Sequence, residues 1–256
     1  MGKFDGILIM SDYDGTLTVR KGAISEENRR AVEYFESEGG IFCIASGRDR
    51  EFVLELGRQI PLNGWCITVN GTVICSPDGR ENAVELPFPK GDMAEVCRRV
   101  IDACPKILNI RHYEGADFTE LCPTDRFEDF YPSLPEPLYK LVVIVDTEDS
   151  DEYKERIEAL LGEDYIVARS WPNGIEIQPA GTGKGDAIAR LRELYGGRIH
   201  TVIAVGDYEN DIDMIKKADI GYAVANAIDS VKAVADRITV ANTEHAIAAI
   251  VAELDK

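Results

Sequence analysis

The feature that most restricts this fold is a repeated handover from a short apolar run to a polar loop. Ile7 to Met10 passes directly into Ser11-Asp12-Tyr13-Asp14, and Ile41 to Ala45 empties into Ser46-Gly47-Arg48. Residues 65–69 reach Asn70-Gly71, and Thr201 to Val205 gives way to Gly206-Asp207-Tyr208-Glu209-Asn210-Asp211. Unbroken apolar runs of this length are typical of strands buried on both faces of a parallel sheet. Helical patterns lie between them. Ser25 is the N-cap of a stretch in which Asn28, Ala31, Val32 and Phe35 recur at helical spacing until Gly39-Gly40. Phe52, Leu56 and Ile60 mark a second helix, ended by Pro61, and Lys184 opens a third carrying Ala187, Ile188, Leu191 and Leu194. Another helix follows Glu209, then a short strand near Gly221 to Val224 and two helices rich in Ala, Val and Ile. This alternation predicts an α/β fold, a Rossmann-like doubly wound parallel sheet covered on both faces.

The middle of the chain breaks the pattern. A strand near 82, a helix over 92–103, a strand over 106–111, an irregular stretch with Pro123, Pro132, Pro135 and Pro137, a strand over 138–145, a helix over 150–161 and two further strands read as an α+β insert. Residues 65–69 and 72–75 form a hairpin around Asn70-Gly71. The expected division is a core of 1–81 and 179–256, with an inserted domain over 82–178. Spacing supports it: the roughly 30 residues between Asp14 and Ser46 fit one helix and one strand. The roughly 140 between Ser46 and Lys184 far exceed a crossover.

At 256 residues, 45% hydrophobic and 29% charged, the chain has the make-up of an ordinary globular protein. No apolar run approaches the roughly 20 residues of a membrane span, and the N-terminus turns acidic too soon for a secretory signal. The expected compartment is the cytoplasm, with no membrane partner. A net charge of −18 argues against nucleic acid as partner. Cys43, Cys66, Cys75, Cys97, Cys104 and Cys122 show no C-x-x-C or zinc-like spacing, and the first three sit in apolar runs as small core residues of a reduced compartment. His112, His200 and His245 are far apart, without the spacing of a ligand pair.

Four loops carry chemistry. Asp12 and Asp14, two residues apart at the carboxyl end of a strand, sit where open α/β sheets bind ligands. One carboxylate can attack phosphorus while the other moves a proton. A calcium loop is the competing reading of D-x-D-G, but Asp12 follows a strand and position 23, where such a loop needs Glu, is Ala. Ser46-Gly47-Arg48 offers a hydroxyl and backbone N–H groups at a helix entry, a phosphate cradle. Lys184 in Gly181-Thr182-Gly183-Lys184-Gly185 is badly placed for the helix dipole and hints at an anion shared between them. It is not a nucleotide P-loop, because Gln178 and Gly185 stand where a glycine and a Ser or Thr are needed. Asp207 to Asp211 places acidic residues at the ligand edge of the sheet, where they suit a hard cation with oxygen ligands; an acidic first turn of a helix is the competing reading.

With these loops in hand, the sequence resembles the haloacid dehalogenase superfamily, and within it the Cof-type phosphatases with a type IIB cap. DYDGTL is similar to the family's nucleophile loop, IASGR to its second loop, GTGKGDAI to its lysine loop and GDYENDIDM to its metal loop. The resemblance implies Asp12 as nucleophile and magnesium ligand, and Asp14 as general acid and base that also ligates through its carbonyl. It implies Ser46, Gly47 and Lys184 as holders of the phosphoryl group, Asp207 as the completing Mg²⁺ ligand, and Asp211 beside the metal. Arg48, Asn70 and Asn210 match positions that touch phosphate or substrate in relatives. Thr182-Gly183 departs from the Val-Ser common before the lysine.

Four carboxylates against one lysine would repel a phosphate dianion, so the expected cofactor is Mg²⁺. The implied reaction is hydrolysis of a small phosphorylated metabolite, a sugar phosphate, through an aspartyl phosphate, by a monomer or small homo-oligomer. A cap closing over the core would select the alcohol, with Trp171, Glu176, Arg111, His112 and Tyr113 as its candidate selectors. A phosphomannomutase-like phosphomutase and a non-catalytic metabolite-binding protein remain open alternatives. Dehalogenation is disfavoured, because it needs neither Asp14 as an acid nor a metal.

Overall fold

The computed structural model describes residues 2–20, 22–114, 117–122 and 137–256. The chain runs through β1 (Ile7–Ser11), a hairpin of β2 (Thr18–Arg20) and β3 (Ala23–Ile24), α1 (Glu26–Ser37), β4 (Ile41–Ile44) and α2 (Arg50–Leu56). A second hairpin, β5 (Cys66–Thr68) and β6 (Val73–Cys75), is followed by β7 (Asn82–Glu85), α3 (Asp92–Ala103), β8 (Asn109–Glu114) and β9 (Asp117–Cys122). Next come β10 (Lys140–Ile144), α4 (Ser150–Leu161), β11 (Tyr165–Trp171), β12 (Gly174–Pro179) and α5 (Asp186–Leu194). The chain closes with β13 (Thr201–Gly206), α6 (Ile212–Lys217), β14 (Ile220–Ala223), α7 (Asp229–Lys232), β15 (Arg237–Ile238) and α8 (Ala246–Leu254). It divides into two compact units, one made of Met1–Val84 with Lys184–Lys256, the other of Glu85–Gly183. Among the described residues no helix is long and apolar enough to cross a membrane.

The first unit is built on a parallel sheet in the order β15-β14-β13-β1-β4. β1 is central: Ile7 to Ser11 pairs with Thr201 to Val205 on one side, and Leu8 to Ser11 with Ile41 to Ile44 on the other. Its apolar side chains are buried because the sheet is covered on both faces, by residues such as Val32 and Phe35 of α1 and Ile188, Leu191, Ile247 and Ile250 of α5 and α8. From β1 the chain first adds β4 on one side and later returns to add β13 on the other. That reversal makes the β1/β13 edge the switch point at which sheets of this kind leave a crevice for ligands. An isolated parallel bridge from Ala45 to Ile67 continues the line to β5.

The second unit is an antiparallel sheet, β11-β12-β10-β8-β9, with α3 and α4 packed on one face. Val96, Cys97 and Val100 of α3 and Tyr153, Ile157 and Leu161 of α4 meet Ile110, Leu141, Val143, Ile175 and Ile177. Since strand side chains alternate, the opposite face carries the cross-strand row Arg111, Val142 and Glu176.

Several elements differ from the sequence reading. β9 lies in the stretch read as irregular, and its pairing with β8 supplies what its mixed composition does not advertise. Pro123, Pro132 and Pro135 fall outside the described residues. α2 ends at Leu56 rather than Ile60, with Gly57 as its cap, a residue of poor helix propensity. α5 begins at Asp186, so Lys184 precedes the helix instead of opening it.

Candidate active site

The loops after β1, β4, β5 and β13 lie at the carboxyl ends of strands in the first unit, Lys184 opens the second segment of that unit, and each is tied to another by side-chain bonds. β1 delivers Asp12, whose backbone N–H donates to Val205 O at 2.9 Å and so seats the loop at the β1/β13 edge. Asp14 and Gly15 leave helical geometry (φ −77°, ψ 116° and φ 84°, ψ −7°), the pair of angles of a type II turn. Gly15 is needed there twice over. Its φ is positive, and a Cβ at this position would stand 2.5 Å from Asp207 Oδ2.

Lys184 is the hub. Its ammonium, 1% exposed, donates to Asp12 Oδ1 and to Asp211 Oδ1, each at 2.7 Å. The other oxygen of Asp211 accepts the backbone N–H groups of Asp207 (2.9 Å) and Tyr208 (3.2 Å). Both Asp211 oxygens are thus engaged, and the residue orients the lysine and the Asp207 loop together. Asp207 in turn accepts from the Thr16 hydroxyl at 2.8 Å. Thr16 belongs to the quoted DYDGTL motif, yet the sequence reading gave it no role; its signal was the motif itself.

Electrostatics are severe at this spot. Burial drives the Asp12 pKa well above the ordinary carboxylate value; Lys184 opposes the rise, and Asp211 and Asp207 add to it. Burial and the neighbouring Asp211 raise Asp207 to about 7, against the Thr16 hydroxyl and Lys184. Burial also works against the Lys184 ammonium, but Asp12 and Asp211 outweigh it and hold its pKa above the usual lysine value. One oxygen from each of Asp12, Asp207 and Asp211 lies within 4.8 Å of the others. Carboxylates crowded this closely retain protons unless a cation relieves them, and an all-oxygen donor set suits a hard divalent ion. The residues fit such a metal.

Arg48 grips Asp14 with two bonds, Nε to Oδ2 at 2.8 Å and Nη2 to Oδ1 at 2.9 Å. Its guanidinium sits 5.3 Å from the Tyr13 ring centre and 4.7 Å from that of Phe52, a stacked perch that suits arginine better than lysine. Asp14 is exposed and stands outside the carboxylate cluster. Ser46, 2% exposed, accepts the Arg48 backbone N–H on Oγ at 3.2 Å, with Gly47 between them. The Ser46 carbonyl receives the Asn70 N–H at 2.9 Å. Asn70 has φ 58°, and its side-chain oxygen accepts from Asn210 Nδ2 at 3.2 Å, which joins the β5 and β13 loops.

In the second unit, Glu176 is held by Lys140 at 2.6 Å with both side chains 2% exposed, and Ser170 donates to its other oxygen. Trp171 lies against Gly174, where a Cβ would collide with its ring. The side chains of His112 and Tyr113 are outside the described residues.

Residues 9–251 match the family model described as haloacid dehalogenase-like hydrolase. Two proteins of Bacillus subtilis, both 5-amino-6-(5-phospho-D-ribitylamino)uracil phosphatases, are similar along nearly their whole length. One is 32% identical, covering 94% of this chain and 92% of the relative; the other is 33% identical, covering 96% and 97%. A solved haloacid dehalogenase-like hydrolase of B. subtilis superposes with a TM-score of 0.81 at 23% identity, over 96% of this chain and 99% of that one.

Proposed function

The chain belongs to the haloacid dehalogenase-like hydrolases, phosphatases of small phosphorylated metabolites, and from that premise we propose that it hydrolyses a sugar or sugar-alcohol phosphate through a phospho-enzyme on Asp12, with Mg²⁺ as cofactor. The observation that carries this reading is the Lys184 ammonium 2.7 Å from both Asp12 and Asp211, beside three carboxylates within 4.8 Å.

Asp12 and Asp207 would hold the metal with the Asp14 carbonyl, while Asp211 holds the lysine and the loop. When bound, Mg²⁺ supplies positive charge that offsets the carboxylates and polarises a phosphoryl oxygen. Arg48, absent from the charge count made on the sequence, leaves four carboxylates facing two cations.

Asp12 Oδ attacks phosphorus in line, forming an Asp12 O–P bond as the P–O bond to the alcohol breaks. Asp14 gives its proton to the departing oxygen. It then takes a proton from water, whose oxygen attacks phosphorus and releases Asp12. In the resting pair Arg48 occupies both Asp14 oxygens, so transfer of Arg48 to a phosphoryl oxygen would open Asp14 to the departing oxygen and to water. Ser46 and the Gly47 N–H would complete the phosphoryl cradle, with Asn70 and Asn210 at its rim. The two 5-phosphoribityl relatives support an open-chain sugar-alcohol phosphate as the substrate class.

The test is turnover of a chromogenic phosphate ester by the wild type and by Asp12→Asn, with Mg²⁺ and with a chelator. Loss of activity is expected with the variant and with the chelator, a fall of at least about 10³-fold. Undiminished turnover by Asp12→Asn would remove the phospho-enzyme.

A further inference from the structure

Three asparagine side chains hold the nucleophile loop, and none has a part in the chemistry above. Asn226 Nδ2 donates to Gly15 O at 2.8 Å, Asn28 Nδ2 to Leu17 O at 3.2 Å, and Asn242 Nδ2 to Thr18 O at 2.7 Å. Two of these amides are also fixed from behind. Asn226 Oδ1 accepts the Asn242 backbone N–H at 2.8 Å, and Asn28 Oδ1 accepts that of Ala248 at 3.1 Å. An amide bound at both its oxygen and its nitrogen cannot rotate without losing both bonds, so the donors stay aimed at the loop.

The segment holding Asn226 does more than brace one loop. Two residues on, the Ile228 N–H donates to Asp207 O at 3.0 Å. One short stretch after β14 therefore grips Gly15, next to the proposed acid, and Asp207, in the proposed metal loop. Between those grips the Thr16 hydroxyl reaches Asp207, and the Gly15 Cα lies against the Asp207 carboxylate. The geometry points to Asn226 as a positioning residue: its amide, locked by Asn242, fixes the separation of the nucleophile loop from the Asp207 loop, and so sets divalent-ion affinity and kcat rather than KM. This rests on the reading of Asp12 and Asp207 given above. Hydrogen-bonded groups behind metal ligands commonly govern affinity in this way, and small displacements of a reacting group are costly in rate.

Asn226 is exposed, so its variants should fold. Asn226→Ala removes the amide, and Asn226→Leu keeps most of its size while it neither donates nor accepts. Asn242→Ala keeps the backbone N–H that locks the Asn226 amide and removes only the side-chain grip of Asn242 on Thr18 O, which loosens the loop at one point. Three quantities are measured on the full chain: kcat and KM for a chromogenic phosphate ester, the melting temperature without metal, and the midpoint of the rise in melting temperature on titration with Mg²⁺ alone. Both Asn226 variants are expected to lose about tenfold in kcat with KM within about twofold, and to need about tenfold more Mg²⁺. Their metal-free melting temperatures should stay within about 3 °C of wild type. Asn242→Ala should move in the same direction by less. Wild-type kcat and Mg²⁺ midpoint in both Asn226 variants would overturn the proposal, as would a fallen kcat with an unmoved midpoint. Asp12→Asn, run alongside, separates the two readings. Its activity tests the nucleophile, whereas the Mg²⁺ midpoint of the Asn226 variants tests the brace without any turnover.

Discussion

Lys184 and Glu36 show two fates of a buried charge. Lys184 is taken out of water but meets two carboxylates at 2.7 Å, and its ammonium form is favoured. Glu36, on α1, is half-buried, and its Oε1 has no hydrogen-bond partner. Burial raises its pKa to about 7, with only the Asn63 backbone N–H acting strongly the other way. Because the folded-state value lies above the unfolded one, the folded protein binds the proton more tightly between about pH 4.5 and 7. Stability attributable to this group is therefore present at low pH and lost as pH rises through about 7. Glu36→Gln, which cannot ionise, should stabilise the protein by only about 1 kcal/mol at pH 8, because solvent screens this half-exposed group. It should change little at pH 4. Denaturant midpoints at the two pH values check this, and equal shifts at both would contradict it.

At the level of elements, short helices depend on their caps. α2 has seven residues, and the Asp49 side chain accepts the Phe52 N–H at 2.9 Å. Phe52 is half of the ring perch under Arg48, so the cap also steadies a residue of the site. Asp49→Ala should cost about 1 kcal/mol in denaturant unfolding, while Asp49→Ser restores most of it. Caps and periodicity are also what made the elements legible: α3 and α4 occupy the residues their spacing marked, and the parallel strands were visible as apolar runs meeting polar loops. Strands without a local signature were not. Nothing in Asp117–Cys122 or in the five strand residues of β2 and β3 distinguishes a strand from a loop until a partner is beside it. In the site, motifs located the loops but not their mutual bonds. The pairing of Arg48 with Asp14 and the reach of Asn226 to Gly15 span 34 and 211 positions, and no local pattern encodes a contact at that distance.

Taken whole, the molecule carries a charge of −18, and self-repulsion of that size weakens the compact state. Salt in general should therefore raise its melting temperature. Mg²⁺ should raise it further than Na⁺ at equal ionic strength, because a bound ion adds stability by mass action, about 2.7 kcal/mol at one hundred times its dissociation constant. A chelator should reverse only that specific part. Coincident curves for the two salts would mean that screening, and not a site, is responsible. The order of strands has a consequence of another kind, for synthesis on the ribosome. β1 is made long before one of its two neighbours, β13, which begins at residue 201. The unit over Glu85–Gly183 is continuous in sequence and has its own apolar cluster, so it can settle while β1 still lacks a flank. The cluster around Asp12 must wait for Lys184 and Asp211 to emerge, so its ion pairs close only after the whole of the Glu85–Gly183 unit has left the ribosome.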